Sequence, residues 1–161
     1  MGDTNNQREG ATSNAKAGND FELAAMEYFR KQGISLYQNF KLLIGIDEIQ
    51  NDYAFDLGSD SEKIIVECKS HKWPHPNDNV PSAKMTVWNE ALYYFLLTPN
   101  DYRKIFFIFK DYSQKRKEPL AEYYVRTYRH LIPNDVEILE YDETESIGKK
   151  LKTDCKSFDA T

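Results

Sequence analysis

Apolar and polar positions alternate along the chain in segments of helical and strand-like period. Apolar side chains at helical spacing predict a first helix from about Asp20 to Gln32, namely Phe21, Ala25, Tyr28 and Phe29. The residues before this helix are small and polar and show no apolar periodicity, so residues 1–15 are expected to form a disordered tail. The fold is therefore expected to begin near residue 16.

Three strand-like segments follow the first helix, and they are Phe40–Ile46, Asp52–Leu57 and Lys63–Lys69. The last of them contains the β-branched run Ile-Ile-Val that is typical of a buried strand. A proline-rich loop, His71–Pro81, comes next. A second helix is predicted from Pro81 or Ser82 to about Leu97, where a Thr-Pro-Asn sequence ends it.

The rest of the chain predicts a strand, a helix and another strand. Ile105–Phe109 has no polar face, which is typical of a strand buried on both sides. A tyrosine-rich helix is predicted over Glu118–Leu131, a short strand over Val136–Tyr141, and a polar tail over 146–161. This order indicates an α/β fold with a mixed central sheet flanked by helices on both faces, in one domain over residues 16–145.

Composition restricts the class of protein. The 161 residues, 40% of them hydrophobic, are enough for one compact domain with a true core. The chain shows no apolar run long enough to span a bilayer and no secretory signal, so a cytoplasmic protein without a membrane partner is expected. Cys68 and Cys155 form no disulfide framework and are expected to be reduced thiols. The net charge of −5 means that any DNA-binding surface has to be local.

The residues that suggest chemistry lie around the third strand. Glu67 and Lys69 are two positions apart on a predicted strand, so their side chains project from the same face, while Cys68 points to the other. Asp56 ends the preceding strand, and the short turn between them makes the two strands hairpin neighbours. One hairpin therefore brings two carboxylates and one ammonium group together.

This grouping is suited to metal-dependent phosphodiester chemistry. Two carboxylates supply the hard oxygen ligands that Mg²⁺ prefers, and the metal neutralises phosphate charge and lowers the pKa of a bound water. The Lys69 ammonium can orient that water or stabilise the charge that develops on the phosphate oxygens. The alternative is an ordinary surface ion pair between Glu67 and Lys69, which would contribute little to stability.

Asp56 followed by Glu67-Cys68-Lys69 resembles the motif of the PD-(D/E)xK nuclease superfamily, which includes restriction endonucleases, Mrr-like enzymes and Holliday-junction resolvases. Phe55 stands where the strict motif has proline, a departure that is common in that superfamily. The element order over Asp20–Phe109 is similar to its αβββαβ core. The resemblance implies a restriction-endonuclease-like fold and hydrolysis of DNA phosphodiester bonds by a Mg²⁺-activated water, with Mn²⁺ as a substitute.

The sequence Gly18-Asn19-Asp20-Phe21-Glu22 also resembles the first-helix signature of resolvase and Mrr-like members, in which a glutamate reaches the metal site. Glu22 is therefore a candidate third carboxylate. The helix dipole alone also favours an acidic residue in the first turn, so this alternative stays open. With one site in each chain, cutting both DNA strands implies a homodimer.

Two basic segments are candidate DNA contacts, and the residues concerned are His71, Lys72, Lys84, Lys115, Arg116 and Lys117. Solvated loops without a ligand would also explain both segments. Cys68, His71 and His75 invite a zinc site, but Cys68 should face the core and no fourth ligand is evident. The aromatic residues of the second helix are expected to be mostly core, namely Trp88, Tyr93, Tyr94 and Phe95.

The chain has no glycine-rich phosphate loop, serine-hydrolase elbow or H-E-x-x-H pair, so no nucleotide cofactor is expected. The sequence thus favours a Mg²⁺-dependent DNA endonuclease of the restriction or DNA-repair type. A catalytically inactive nuclease-fold module that binds DNA or a protein partner is the main alternative. A third alternative is a domain of strands and helices with no nucleic-acid role. It applies if the register of the hairpin does not bring Asp56, Glu67 and Lys69 together.

Overall fold

The structure, a computed structural model, describes the backbone of residues 5–151 and the side chains of residues 13–151; Cys155 lies outside these ranges. In chain order the elements are α1 (Asn5–Arg30), β1 (Tyr37–Ile46), β2 (Ile49–Ser59), β3 (Ile64–Lys69), α2 (Ser82–Leu96), β4 (Arg103–Phe109), β5 (Tyr112–Ser113), β6 (Glu118–Pro119), α3 (Leu120–Tyr128), a 3-10 turn (Arg129–Leu131), β7 (Val136–Asp142) and β8 (Ile147–Lys150).

Six of the strands form one mixed sheet in the order β1-β2-β3-β4-β7-β8. The strands β1, β2 and β3 form an antiparallel meander, β3, β4 and β7 run parallel, and β8 returns antiparallel to β7. The parallel connections pass through α2 and through α3, as parallel neighbours require a crossover. The expected α/β architecture with a mixed sheet is confirmed.

The sheet separates two hydrophobic cores. Side chains of β4 alternate between them: Ile105 and Phe107 pack with α1, while Phe106 and Ile108 pack with α2 and α3. Burial on both faces is the reason why this strand has no polar side. We call the first cluster the α1 core, after Phe21, Ala25 and Phe29. The second is the α2–α3 core, with members including Met85, Trp88, Leu92, Phe95, Leu120 and Tyr124.

The first helix is longer than the sequence pattern indicates. It begins at Asn5 and not near Asp20, so residues 5–15, expected to be a disordered tail, are helical. Of its residues described by side chain, Ser13 to Ala17 are exposed. A helix segment that faces solvent needs no apolar periodicity, and alanines and a lysine favour the helix there by intrinsic propensity.

The C-terminal side also departs from expectation. Residues 147–150, expected to be part of a polar tail, form β8 at the sheet edge, and buried Leu151 donates its N–H to the Ile138 carbonyl at 2.9 Å. An edge strand with one solvated face can be polar throughout, so the apolar pattern did not reveal it. No helix in the described part of the chain has the length and hydrophobicity needed to cross a bilayer.

Candidate active site

The candidate site lies where β2 and β3 separate. Their pairing ends at Leu57 opposite Val66, and the next pair along the same register would be Asp56 with Glu67. Phe55 packs in the α2–α3 core and Leu57 in the α1 core, although residues two apart on a regular strand share a face. The strand β2 therefore rotates at Asp56.

The rotation directs the Asp56 carboxylate towards β3. Its Oδ2 accepts a hydrogen bond from the backbone N–H of Cys68 at 2.7 Å. Its other oxygen, Oδ1, accepts no hydrogen bond from the residues that the structure describes. Asp56 is thus fixed by the backbone next to Glu67 and keeps one oxygen available to a ligand.

Glu67 and Lys69 form a buried ion pair. Lys69 Nζ lies 3.2 Å from Glu67 Oε2, and the two side chains are only 12% and 4% exposed, respectively. The alternative of a solvent-exposed surface pair is therefore excluded. A buried charge pair is costly to desolvate and is weak evidence of a stabilising role, so it marks a candidate functional site.

The pKa of Glu67 is raised to about 7: burial and then the negative charge of Asp56 raise it, while Lys69 and a hydrogen bond from Tyr53 act in the opposite direction. The two carboxylates are therefore close enough to repel one another. A divalent cation bound between them would remove this repulsion.

Glu22 reaches the same region from α1. Its Oε2 accepts a hydrogen bond from Gln38 Nε2 at 2.8 Å, and the same amide donates to Asn19 Oδ1 at 3.1 Å. Burial raises the pKa of Glu22, the Gln38 hydrogen bond lowers it, and the Asp56 charge raises it. The charges of Asp56 and Lys69 thus affect the pKa of Glu22, although Glu22 forms no hydrogen bond with either residue.

The donor set fits a hard cation that keeps part of its water shell. Over residues 13–151, no three His, Cys, Asp or Glu side chains converge as a group that could hold a metal ion. The core of the candidate set is the pair Asp56 and Glu67, with Glu22 to one side. Mg²⁺ is usually bound by one or two carboxylates together with waters and substrate phosphates, so a pair suffices for it.

Tyr53 belongs to the site, and the sequence pattern did not reveal it. Its hydroxyl donates to Glu67 Oε1 at 3.1 Å, and its ring stacks on Tyr94 of α2 with centroids 3.9 Å apart. Burial raises the pKa of Tyr53, so the hydroxyl stays a protonated donor. An aromatic residue on a strand is normally read as packing, and its position three residues before Asp56 was the only signal.

The first basic segment lies next to the carboxylates. His71 Nδ1 accepts a hydrogen bond from the Trp88 indole N–H at 2.9 Å. Burial lowers the pKa of His71 to about 4, and the charges of Lys84 and Lys69 lower it too, so this imidazole is neutral at pH 7. Lys72 lies over the Phe109 ring at 4.9 Å. His71, Lys72 and Lys84 line a common cavity.

The second basic segment holds a loop in place. Lys115, Arg116 and Lys117 lie between β5 and β6, a hairpin that was not predicted. Lys115 Nζ donates to the Asn77 carbonyl at 2.9 Å, and Arg116 donates to the Asp78 carbonyl. The side chains of Lys115 and Arg116 therefore have a structural role, since their hydrogen bonds to backbone carbonyls hold the loop after β3.

The residues considered for zinc do not come together. Cys68 packs against the α1 core, and His71 accepts a hydrogen bond from Trp88. His75 Nδ1 lies 3.6 Å from Asp78 Oδ1. Burial raises the pKa of the Cys68 thiol well above its usual range, which disfavours the thiolate that zinc requires. In the second helix, Trp88 and Phe95 are core as expected, whereas Tyr93 is exposed.

Comparison with known proteins gives no match: no family model, no curated protein and no solved structure is similar to this chain.

Proposed function

We propose that the protein is a Mg²⁺-dependent DNA endonuclease with a restriction-endonuclease-like core. The observation that carries the proposal is the meeting of Asp56 and Glu67 at the point where β2 and β3 separate, with Lys69 Nζ 3.2 Å from Glu67. The buried Glu67–Lys69 pair is costly to desolvate, and stability alone is a weak reason for its presence. The chemistry of the two carboxylates and the ammonium suits the hydrolysis of a phosphodiester.

Each residue has a separate role in this proposal. Asp56 and Glu67 would hold Mg²⁺, with the Glu22 carboxylate to one side on α1. Bound Mg²⁺ would neutralise phosphate charge and lower the pKa of a water molecule. Lys69, held by Glu67, positions the attacking water and stabilises the negative charge that develops on the phosphate oxygens.

The arrangement of elements supports the same proposal. A helix, an antiparallel meander of three strands, a crossover helix and a parallel strand follow one another in α1, β1–β3, α2 and β4. This order is the αβββαβ order that the motif resemblance implies. Because each chain has a single such site in its described part, cutting both strands of DNA would need two copies, and we propose a homodimer on the substrate.

Cleavage of supercoiled plasmid and of a branched DNA junction, with Mg²⁺ or Mn²⁺, tests the proposal. We expect wild-type protein to cut in the presence of metal and not in EDTA. Asp56→Ala and Lys69→Ala should each reduce the rate by at least roughly a hundredfold, because each removes a group that acts on the reacting phosphate. Asp52→Ala and Lys41→Ala are matched controls, since both side chains are exposed on the neighbouring β1–β2 hairpin.

The outcomes separate the proposal from its rival. Cleavage that survives both Asp56→Ala and Lys69→Ala would place the activity elsewhere. Tight metal-independent DNA binding without any cutting by the wild type would favour a nuclease fold used as a binding module. A cleavage rate that rises with the square of protein concentration would support assembly of the homodimer on the substrate. A linear dependence, from a protein that is monomeric in solution, would contradict the homodimer.

A further inference from the structure

A cavity of about 380 Å³ lies directly beyond the end of β3, next to the candidate active site. Its walls come from three elements: α1, the loop that follows Lys69, and the first turn of α2. The lining residues are Asn14, Ala17, Ser70, His71, Lys72 and Lys84. None of them is acidic.

The charge of this cavity is unusual for an acidic protein. The chain carries a net charge of −5, and nine of the 18 lysines and arginines between residues 13 and 151 form ion pairs with carboxylates. Neither Lys72 nor Lys84 forms an ion pair with any residue between 13 and 151. The Lys84 ammonium creates a local positive potential that attracts anions, and Lys72 adds to it from the border of the cavity, where its ammonium lies 4.9 Å from the Phe109 ring.

His71 adds a fixed hydrogen-bond donor to the same wall. Its Nδ1 accepts from the buried Trp88 indole, so the proton of the neutral imidazole has to be on Nε2. Burial lowers the pKa of His71 to about 4, which keeps the imidazole in that single form at neutral pH. The cavity thus combines two cations with neutral donors from His71 and Ser70.

The charge of the lining residues becomes negative on the other side of Lys72. A neighbouring cavity of about 200 Å³ shares Ala17, Ser70 and Lys72 with the first, but it also contains Asp20 and Glu143. These carboxylates disfavour a second anion beyond Lys72. The positive site is therefore bounded on this side by negative charge.

We propose that this cavity binds one phosphate of the DNA backbone, a phosphate that flanks the one cut at Asp56 and Glu67. The inference rests on the proposed function for the position of the DNA, but the anion site itself does not depend on cleavage. Lys84 and Lys72 neutralise the bound phosphate, and His71 and Ser70 donate hydrogen bonds to it. The contact would fix which phosphodiester bond reaches the carboxylates.

The first test uses inorganic phosphate and metal-free protein. Binding is followed by calorimetry and by tryptophan fluorescence, to which Trp88, whose indole donates to His71, and Trp73 both contribute. We expect Lys84→Gln and Lys72→Gln each to weaken phosphate binding by roughly tenfold, since each removes one charged contact. Lys41→Gln, which changes an exposed lysine on β1, should leave it unchanged. Equal affinity in all four proteins would overturn the proposal.

The second test places the site on DNA. Binding of a short duplex is measured in EDTA over a range of salt, with single phosphates replaced in turn by uncharged methylphosphonates. One replacement should lower the salt slope of the wild type by about 1 and leave the slope of Lys84→Gln unaltered. If Lys84→Gln responds to every replacement as the wild type does, the inference is wrong.

The two proposals fail in different ways. Phosphate binding that depends on Lys84, without DNA cleavage, would remove the nuclease proposal and leave an anion site. Metal-dependent cleavage with phosphate binding that is indifferent to Lys72 and Lys84 would remove this inference alone. Thermal unfolding of each variant confirms that the fold is intact, because both lysines are exposed side chains.

Discussion

At the scale of single residues, the hydroxyl of Tyr53 is the smallest group on which the candidate metal site depends. It donates to Glu67 Oε1 at 3.1 Å and so fixes one oxygen of a proposed ligand. Tyr53→Phe should therefore raise the Mg²⁺ concentration needed for half-maximal cleavage by about tenfold, since a hydrogen bond to a charged acceptor contributes about 1.5 kcal/mol. Metal titrations of the cleavage rate measure this.

Tyr94→Phe is the matched control for that experiment. Tyr94 stacks on Tyr53, but its hydroxyl bonds to the exposed Glu90 at 3.4 Å and makes no contact with Glu67. Both variants remove one oxygen from the same aromatic pair. An identical metal requirement in the two would show that the Tyr53 hydroxyl has no role in holding Glu67.

The buried carboxyl of Glu67 also predicts how stability depends on pH. Its pKa is about 7 in the folded state against 4.5 for the free side chain, so the folded protein holds this proton more tightly. Stability from this group is complete below pH 4.5 and is lost as pH rises through 7. The loss amounts to about 3 kcal/mol, at about 1.4 kcal/mol for each tenfold change in proton affinity.

Denaturant unfolding of the wild type and Glu67→Gln, in EDTA between pH 5 and 8, isolates this contribution. The free energy of unfolding of the wild type should fall relative to that of Glu67→Gln as the pH rises. His71 acts in the other direction, because its pKa of about 4 means that stability grows as pH rises towards 6.5, but both proteins share it. Parallel pH profiles would contradict the burial of a charged Glu67.

At the scale of elements, the position of Asp56 on β2 depends on how β1 packs beside this strand. A Cβ atom at Gly58 would lie 2.4 Å from Phe40 Cδ1 and 2.9 Å from Phe40 Cβ, so the ring of Phe40 occupies the space of a side chain. Gly58→Ala should destabilise the protein by about 1–3 kcal/mol through overpacking. Unfolding in denaturant measures the loss.

The double variant Phe40→Ala with Gly58→Ala checks this cause. Removing the ring opens the space that the new methyl group needs, so the two effects should be clearly less than additive. Additive losses would mean that Gly58→Ala acts on the backbone and not on the contact with Phe40.

The same scale shows why part of the structure was predictable. Asp56, Glu67 and Lys69 were grouped correctly because a short hairpin and a period of two decide their relative positions locally. The residues Tyr53 and His71 have roles that depend on α2, through Tyr94 and Trp88, and local patterns carry no information on such partners. The extension of α1 and the strand β8 were missed because solvated elements need no apolar period.

At the scale of the whole molecule, net charge limits how DNA can be bound. The protein carries −5, and the lysines near the candidate site that could meet phosphates are Lys69, Lys72 and Lys84. Contact with about three phosphates predicts a shallow salt dependence, with a slope of log affinity against log salt of about −3. Anisotropy of a labelled duplex, measured in EDTA from low to moderate salt, provides the slope.

A slope steeper than about −6 would require a broad basic surface that the proposal does not contain. The variant Lys41→Gln serves as the control here as well, since this exposed lysine lies on β1. Its slope should match that of the wild type. A reduced slope would extend the DNA contact to the β1–β2 hairpin.

The antiparallel meander has a consequence for the order of folding. The strands β1, β2 and β3 are consecutive and joined by short turns, whereas the parallel contact of β3 with β4 closes over residues 70–102. Short closures cost less chain entropy and form sooner. We expect Asp56 and Glu67 to come together early in folding, while both carboxylates are still hydrated. Their mutual repulsion should increase only later, when α2 packs against Tyr53 and water is excluded from the pair.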